Sequence, residues 1–285
     1  EFRRVLFRSQ TGIHPRPPRL DKLVWIMSKT AKKDALQRRF ILAAICAGAA
    51  LFLGLLGLVQ FKPLTEAELY TRDLRIRFGQ PAPLSQEIVF IAIDKPTYKD
   101  ILSDEEIAAS PALAEMSAGS WPWRRSVWAQ VIQRITDAGA KAVALDLMFP
   151  TPKEGDEELT QTMSEKGERA VLGGTFEEVS NAGRTSVQLT LPAALAPMGT
   201  AEISSDNPGG RVGYVNLWPD SDGIVRRADY RRQFQDTVAA SLACRMLEKA
   251  GYTDRIPVGG SALIRFPGPP NFNYKSIPIY QLFVP

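Results

Sequence analysis

The segment GSWPWRRSVWAQVIQRITDAGAKAVALDLMF, residues 119–149, carries the clearest secondary-structure pattern of the chain. Its apolar side chains recur at helical spacing on one face, at Val127, Trp128, Val131, Ile132 and Ile135. Gly139 follows at the position where a left-handed residue commonly ends a helix. Residues 141–147 are then a short apolar run of the kind found in buried strands. The segment therefore predicts a helix followed by a strand, as in an α/β fold.

The flanking segments extend this pattern on both sides. Upstream, residues 87–94 (EIVFIAID) form a nearly continuous apolar run, which is typical of a strand buried on both faces of a parallel sheet. Residues 87–147 thus predict a β-α-β unit with two parallel strands side by side. Downstream we expect a helix from Asp156, acting as its cap, to Lys166 and a third strand at 169–173. The alternation favours a mostly parallel sheet with flanking helices.

The second half of the chain changes rhythm. Residues 213–218 and 224–235 are separated by PDSDG, whose glycine suits a tight turn, and this predicts an added antiparallel hairpin. We also expect a strand at 185–189, a helix at 237–249 and a last strand at 263–266. No internal repeat is visible.

An uncharged segment near the N-terminus predicts a membrane helix. Phe40–Val59 reads FILAAICAGAALFLGLLGLV, which as a helix is about 30 Å long and matches a bilayer core. A buried helix of a soluble protein is an alternative, but twenty uncharged residues are long for one. A cleaved signal peptide is another, but its apolar region is usually shorter and no small-x-small cleavage site follows Val59.

Basic residues before this segment predict its orientation. They are Lys29, Lys32, Lys33, Arg38 and Arg39, and the segment that follows the span has no comparable excess. The positive-inside rule then makes residues 27–39 a cytoplasmic basic segment, residues 40–59 an inner-membrane span and residues 61–285 an extracytoplasmic domain. In a bacterium that domain would lie in the periplasm.

The two ends of the sequence look less natural. Residues 1–26 precede Met27, a natural start, and EFRRVLFRS resembles a translated sequencing adapter, so we interpret these residues as a non-native leader. The sequence stops in the apolar stretch SIPIYQLFVP. We therefore expect the extracytoplasmic domain to be truncated at its C-terminus.

Composition argues against several classes of function. The 285 residues carry a net charge of +4, which does not require a nucleic-acid partner. Cys46 and Cys244 lack metal-like spacing, and His14 is the only histidine, so the part after the span has no Ser-His-Asp arrangement. No phosphate-binding loop motif is present. We expect no catalytic centre, no metal site and no cofactor in this chain.

Six residues around the opening segment form a candidate cluster, namely Asp94, Trp121, Trp123, Arg124, Arg125 and Asp146. The two aspartates end the predicted neighbouring strands, and ligands of open α/β sheets bind at such strand ends. The alternative is a structural cluster of core tryptophans and internally paired charges. Because Arg124 and Arg125 lie at the positive end of a helix, we expect one of them to pair with Asp94 or Asp146.

The membrane segment also suggests a homodimer. Ala44 and Gly48, and again Ala50 and Gly54, have the small-xxx-small spacing that lets membrane helices approach closely.

Several ordered motifs resemble the second type of CHASE domain, the cyclase/histidine-kinase-associated sensory extracellular domain. They are DLRIRF at 73–78, the run 88–94, the WPWRRS segment with its helix and GAKAVALDLMF, and GYVN followed by PDSDGIVRR at 213–227. The resemblance covers roughly residues 61–285. The ligands of that family are generally unknown, so the resemblance supplies no binding residues.

This resemblance implies the sensory part of a bacterial transmembrane receptor that binds an unidentified extracytoplasmic ligand. Receptors of this kind continue into further membrane helices and a cytoplasmic output domain, most often a class III adenylate or guanylate cyclase. A histidine kinase, a diguanylate cyclase or a serine/threonine kinase are the other outputs. From the residues alone, a membrane-tethered exported enzyme and a structural envelope protein remain alternatives.

Overall fold

The computed structural model describes residues 18–59, 61–93, 102–119, 121–181, 184–268 and 274–284. The chain divides into two compact units, residues 1–77 and 78–285. Helix α1 (Pro18–Leu58) lies within the first unit, and helix α2 (Lys62–Phe78) ends at the boundary.

Helix α1 contains the predicted span. Its stretch Leu36–Leu58 is long and apolar enough to cross a membrane, and none of it is buried against protein. These 23 residues extend for about 35 Å, enough for a hydrocarbon core with some tilt. The helix also continues upstream through the basic segment to Pro18.

The second unit is a mixed α/β domain. Its helices are α3 (Asp104–Ala109), α4 (Pro111–Ser117), α5 (Arg125–Asp137), α6 (Asp156–Lys166) and α7 (Leu242–Lys249). Its first strands are β1 (Val89–Ala92), β2 (Val143–Met148), β3 (Ala170–Asn181), β4 (Arg184–Thr190) and β5 (Val212–Tyr214). The later strands are β6 (Arg227–Asp229), β7 (Arg231–Phe234), β8 (Thr237–Ala240), β9 (Ser261–Leu263) and β10 (Lys275–Pro278).

A small sheet forms the centre of this domain. Strand β3 pairs in parallel with β2 on one side and β5 on the other, while its second half pairs antiparallel with β4. Helix α6 connects β2 to β3, so a β-α-β unit exists one strand later than predicted. Parallel pairing is thus confirmed for the centre of the domain, but antiparallel pairing is as prominent in the rest.

The helix predicted within residues 119–149 is confirmed as α5. Val127, Trp128, Val131 and Ile132 are buried in the main core. Burying one such aliphatic side chain fully contributes about 1.5–3 kcal/mol, so this face fixes the helix against the sheet. Gly139 has a φ of 92° and ends the helix as expected.

The predicted position of the first strand is wrong. Strand β1 pairs in parallel with β10, near the end of the chain, and belongs to a different sheet from β2. It is not buried on both faces, since Phe90 is 53% exposed. An apolar run reveals strand propensity, whereas its partner depends on contacts that are distant in sequence.

An antiparallel hairpin is present after residue 213, but it joins β7 and β8 rather than the predicted strands. Residues 212–214 join β3 in parallel, whereas β6 pairs with β9 and β7 pairs with β8. The turn at 219–223 does form, because Gly223 has a φ of 83° and its N–H donates to the carbonyl of Asp220 at 2.9 Å. The predicted helix at 237–249 begins only at Leu242, after β8 and the capping residue Ser241. The last predicted strand lies slightly earlier, at β9.

Candidate ligand or structural cluster at the start of helix α5

Three tryptophans pack together where the chain enters α5. The Trp123 and Trp128 rings stack with centroids 5.3 Å apart, and the Trp121 ring meets the Trp123 ring edge-on at 5.2 Å. Phe149, just after β2, lies 6.0 Å from the Trp128 ring. Trp123 and Trp128 are buried, whereas Trp121 is 55% exposed. Trp123 is therefore a core anchor, and the face of Trp121 remains open to solvent.

Arg124 precedes the first turn of α5 and is neutralised by two acids. Its Nη1 lies 3.1 Å from Glu154 Oε1, and its Nε lies 3.5 Å from Glu115 Oε2. Its backbone N–H also donates to Glu115 Oε1 at 3.3 Å. Half of the Arg124 side chain is exposed, so these pairs contribute about 0–1 kcal/mol each.

Arg125 is the buried member of the cluster. Its Nε lies 3.3 Å from Asp156 Oδ1, its Nη2 donates to the carbonyl of Thr151 at 3.3 Å, and its guanidinium sits 4.3 Å from the Phe149 ring centre. Burial lowers the pKa of Arg125, and the negative charge of Asp156 opposes this effect. Within the described residues, Arg125 Nη1 and Trp128 Nε1 have no hydrogen-bond partner.

A close approach of two backbones brings these charges together. The N–H of Arg125 donates to the carbonyl of Glu154 at 2.9 Å, and Gly155 has a φ of 89°. A Cβ atom on Gly155 would lie 2.3 Å from the backbone nitrogen of Ser126. The loop after β2 therefore lies directly on the start of α5. Gly155 is also the residue that caps α6, so the prediction that Asp156 is the cap is wrong.

The expected pairing with Asp146 is not what the structure shows. Each arginine does meet an acid, as the helix-end argument requires, but the partners are Glu115, Glu154 and Asp156. Asp146 is exposed inside β2 and takes part in none of the described ion pairs. Asp94 lies outside the described residues. The prediction assumed that β1 and β2 were neighbours, whereas they belong to different sheets, and the pairing with Asp94 stays a prediction.

The PDSDGIVRR motif forms a second charged cluster, which was not predicted from the sequence. Arg226 is 1% exposed, and its Nη1 and Nη2 reach both oxygens of Asp222 while Nη1 also reaches Asp220 Oδ2 at 3.0 Å. These bonds lower the pKa of Asp222 to about 2. The signal in the sequence was two aspartates followed by an arginine around a turn glycine.

An aromatic group gathers around strands β3 and β5. The Arg232 guanidinium lies 3.7 Å from the centre of the Trp218 ring. The Trp218 ring also packs on the rings of Phe176 and Tyr214. The Tyr214 hydroxyl donates to the carbonyl of Asp229 at 2.6 Å, and burial raises the pKa of this tyrosine. Sequence reasoning did not single out this group.

Helix α7 contributes a third charged cluster. Arg245 is completely buried, and its Nη1 donates to Glu248 Oε2 and to the carbonyl of Asn207, both at 2.8 Å. Lys249 Nζ donates to the carbonyl of Gly167 at 2.6 Å. Burial, followed by the nearby charges of Arg245 and Arg211, lowers the pKa of Lys249 to about 8.

The chemistry of these clusters is one of internal pairing. Among the described residues, no group of three or more His, Cys, Asp or Glu side chains could hold a metal ion. The chain thus combines a mixed α/β domain with a preceding helix that is long and apolar enough to cross a membrane. The particular family follows from a profile of the CHASE2 domain, which matches residues 47–284, and the chain belongs to that family.

CHASE2 domains are sensory extracellular domains of signalling receptors. Neither the search of curated proteins nor the search of solved structures gave a match.

Proposed function

We propose that this chain is the extracytoplasmic sensory input part of a membrane-bound receptor, with residues 27–39 in the cytoplasm and residues 61–285 outside. The observation that carries this proposal is the CHASE2 match over 47–284, which begins inside the apolar stretch Leu36–Leu58. A sensory domain attached to a span can pass a binding event to the membrane through that span.

The proposed output is a class III adenylate or guanylate cyclase, with a histidine kinase or serine/threonine kinase as the second candidate. Reading the genomic frame beyond residue 285 tests this assignment. Further apolar spans followed by a cyclase domain support it, and a kinase domain favours the second candidate. A frame without any signalling domain contradicts the receptor and favours a membrane-tethered exported enzyme.

Two exposed members of the predicted cluster, Trp121 and Arg124, are proposed to meet an extracytoplasmic ligand. Trp121 and Arg124 are half exposed, whereas Trp123 and Arg125 are buried, and the Trp121 ring packs edge-on against the Trp123 ring. A fluorine-labelled tryptophan or a spin label at position 121 should change its spectroscopic signal when a ligand is added. A ligand that activates the receptor but leaves that signal unchanged removes Trp121 from the binding site.

A homodimer through the span is also proposed. Gly48 and Gly54 have open space around them, so a second helix can approach closely there. Gly48→Ile should weaken self-association in a membrane reporter assay, whereas Leu51→Ile serves as the control.

A further inference from the structure

Helix α2 leaves an apolar face exposed. At about 100° per residue, Ala67, Tyr70, Leu74 and Phe78 fall within a sector of about 80°, opposite the buried Leu69. Tyr70 is 64% exposed and Phe78 is 76% exposed. Large apolar groups that line up on the open side of a helix are typical of an interaction surface.

The position of α2 in the chain restricts what can cover this face. Its first residue, Lys62, is only four positions after Leu58, the last residue of the candidate span. Four peptide steps reach at most roughly 14 Å, so the start of α2 has to stay at or near the headgroup level of the bilayer.

The charges around the face favour a lipid surface. Arg75 and Arg77 are exposed cations, one on each edge of the face, and Lys62 is an exposed cation in the first turn of the helix. The acidic Glu68, on the Arg75 edge, is held by Arg72 at 2.5 Å, and Glu66 lies on the Arg77 edge. Two copies joined through this face would bring their Arg75 side chains together, whereas lipid phosphates complement them.

We propose that the face made of Ala67, Tyr70, Leu74 and Phe78 lies in the headgroup region of the membrane that α1 crosses. Lys62 and Arg75 lie beside lipid phosphates, and the aromatic rings sit at the boundary with the acyl chains. Helix α2 is then an interfacial helix that sets how the chain leaves the membrane. The inference rests on the membrane anchor in the proposed function.

The test measures the surroundings of single fluorescent labels in the full chain. Cys46 and Cys244 are replaced by alanine, and a cysteine labelled with nitrobenzoxadiazole is placed at Tyr70→Cys or, as the matched control on the same helix, at Glu68→Cys. The protein is reconstituted in vesicles of phosphatidylcholine and phosphatidylglycerol. Nitroxide-labelled lipids quench labels in the membrane, and iodide quenches labels in water.

We expect several-fold stronger quenching by the lipid nitroxide at position 70 than at position 68, with iodide giving the reverse order. Adding Arg75→Gln should reduce the lipid quenching at position 70. Quenching of position 70 by iodide alone overturns the proposal, because the face is then in water. Protection of position 70 from both quenchers also overturns it, because protein then covers the face.

The native Cys46 separates this proposal from the anchor on which it rests. It lies in the middle of the span, so a label on Cys46 in the Cys244→Ala variant should be quenched strongly by the lipid nitroxide. A lipid-quenched Cys46 with a water-exposed position 70 overturns only the interfacial helix. A Cys46 label that lipid does not quench overturns the membrane anchor as well.

Discussion

Arg226 donates two parallel hydrogen bonds to Asp222, from Nη1 to Oδ1 at 2.8 Å and from Nη2 to Oδ2 at 2.7 Å. The guanidinium is buried, while the aspartate lies at the surface beside Asp220, which the same arginine also binds. This bidentate geometry is the strongest form of such a pair. We therefore interpret the PDSDGIVRR motif as a turn that an internal ion pair locks.

Replacing the buried arginine should be costly. Arg226→Met removes the partner of two aspartates and should lower the free energy of unfolding by roughly 2–3 kcal/mol, less than for a fully buried pair because the aspartates reach water. Arg227→Met, at the exposed neighbouring position, should cost little. Urea unfolding of the full chain in detergent compares the two. Equal effects would show that the pair does not stabilise the turn.

Acid should weaken the same turn. The folded pKa of Asp222 is about 2, below its ordinary value of 3.8. A carboxyl with a lowered folded pKa contributes stability that is present above pH 4 and is lost as the pH falls towards 2. Asp222→Asn should therefore unfold with a flatter dependence on pH across that window. A variant with the same acid profile as the unmodified chain would contradict the assignment.

Two glycines with nearly the same backbone angle offer a matched test of the α5 contact. Gly155 and Gly139 have φ values of 89° and 92°, so alanine pays a similar left-handed cost at both, about 1–2 kcal/mol. Only at Gly155 would the new Cβ collide with Ser126, since nothing lies within 4 Å at Gly139. Gly155→Ala should thus lower the melting temperature clearly more than Gly139→Ala does. Equal shifts would mean that the loop does not rest on α5.

Lys249 should make stability rise with pH. Its folded pKa is about 8, against an ordinary value of 10.5. Between these values the unfolded chain binds more protons, so the free energy of unfolding increases as the pH rises. Lys249→Gln should remove this increase, whereas Lys275→Gln, at an exposed position, should keep it. Chemical denaturation at several pH values measures the difference, and parallel curves for Lys249→Gln and the unmodified chain would contradict it.

Local patterns predicted the local structure well. The capping glycine and buried stripe of α5 were visible because a helix repeats every 3.6 residues and repeats its burial with it. The span was visible for a similar reason, since twenty uncharged residues have few other uses.

Strand partners and charge partners were predicted less well. The apolar run at β1 fits several positions in a sheet, and its pairing with β10 depends on a contact across most of the domain. The same is true of Arg125, whose partner Asp156 follows β2 through a loop that only a glycine at position 155 allows. The position of Arg125 at the helix end predicted that an acid would lie nearby. Which acid lies there depends on the loop after β2.

The most direct test of the account asks on which side of the membrane the sensory domain lies. Val258 is fully exposed, so Val258→Cys should react with a membrane-impermeant maleimide in intact spheroplasts, whereas Ser28→Cys should react only after lysis. Native Cys244 is buried and Cys46 lies in the span, so both can be replaced by alanine beforehand. Labelling of Val258→Cys in intact spheroplasts with a silent Ser28→Cys is the predicted result. The reverse pattern would place the domain in the cytoplasm and contradict the account.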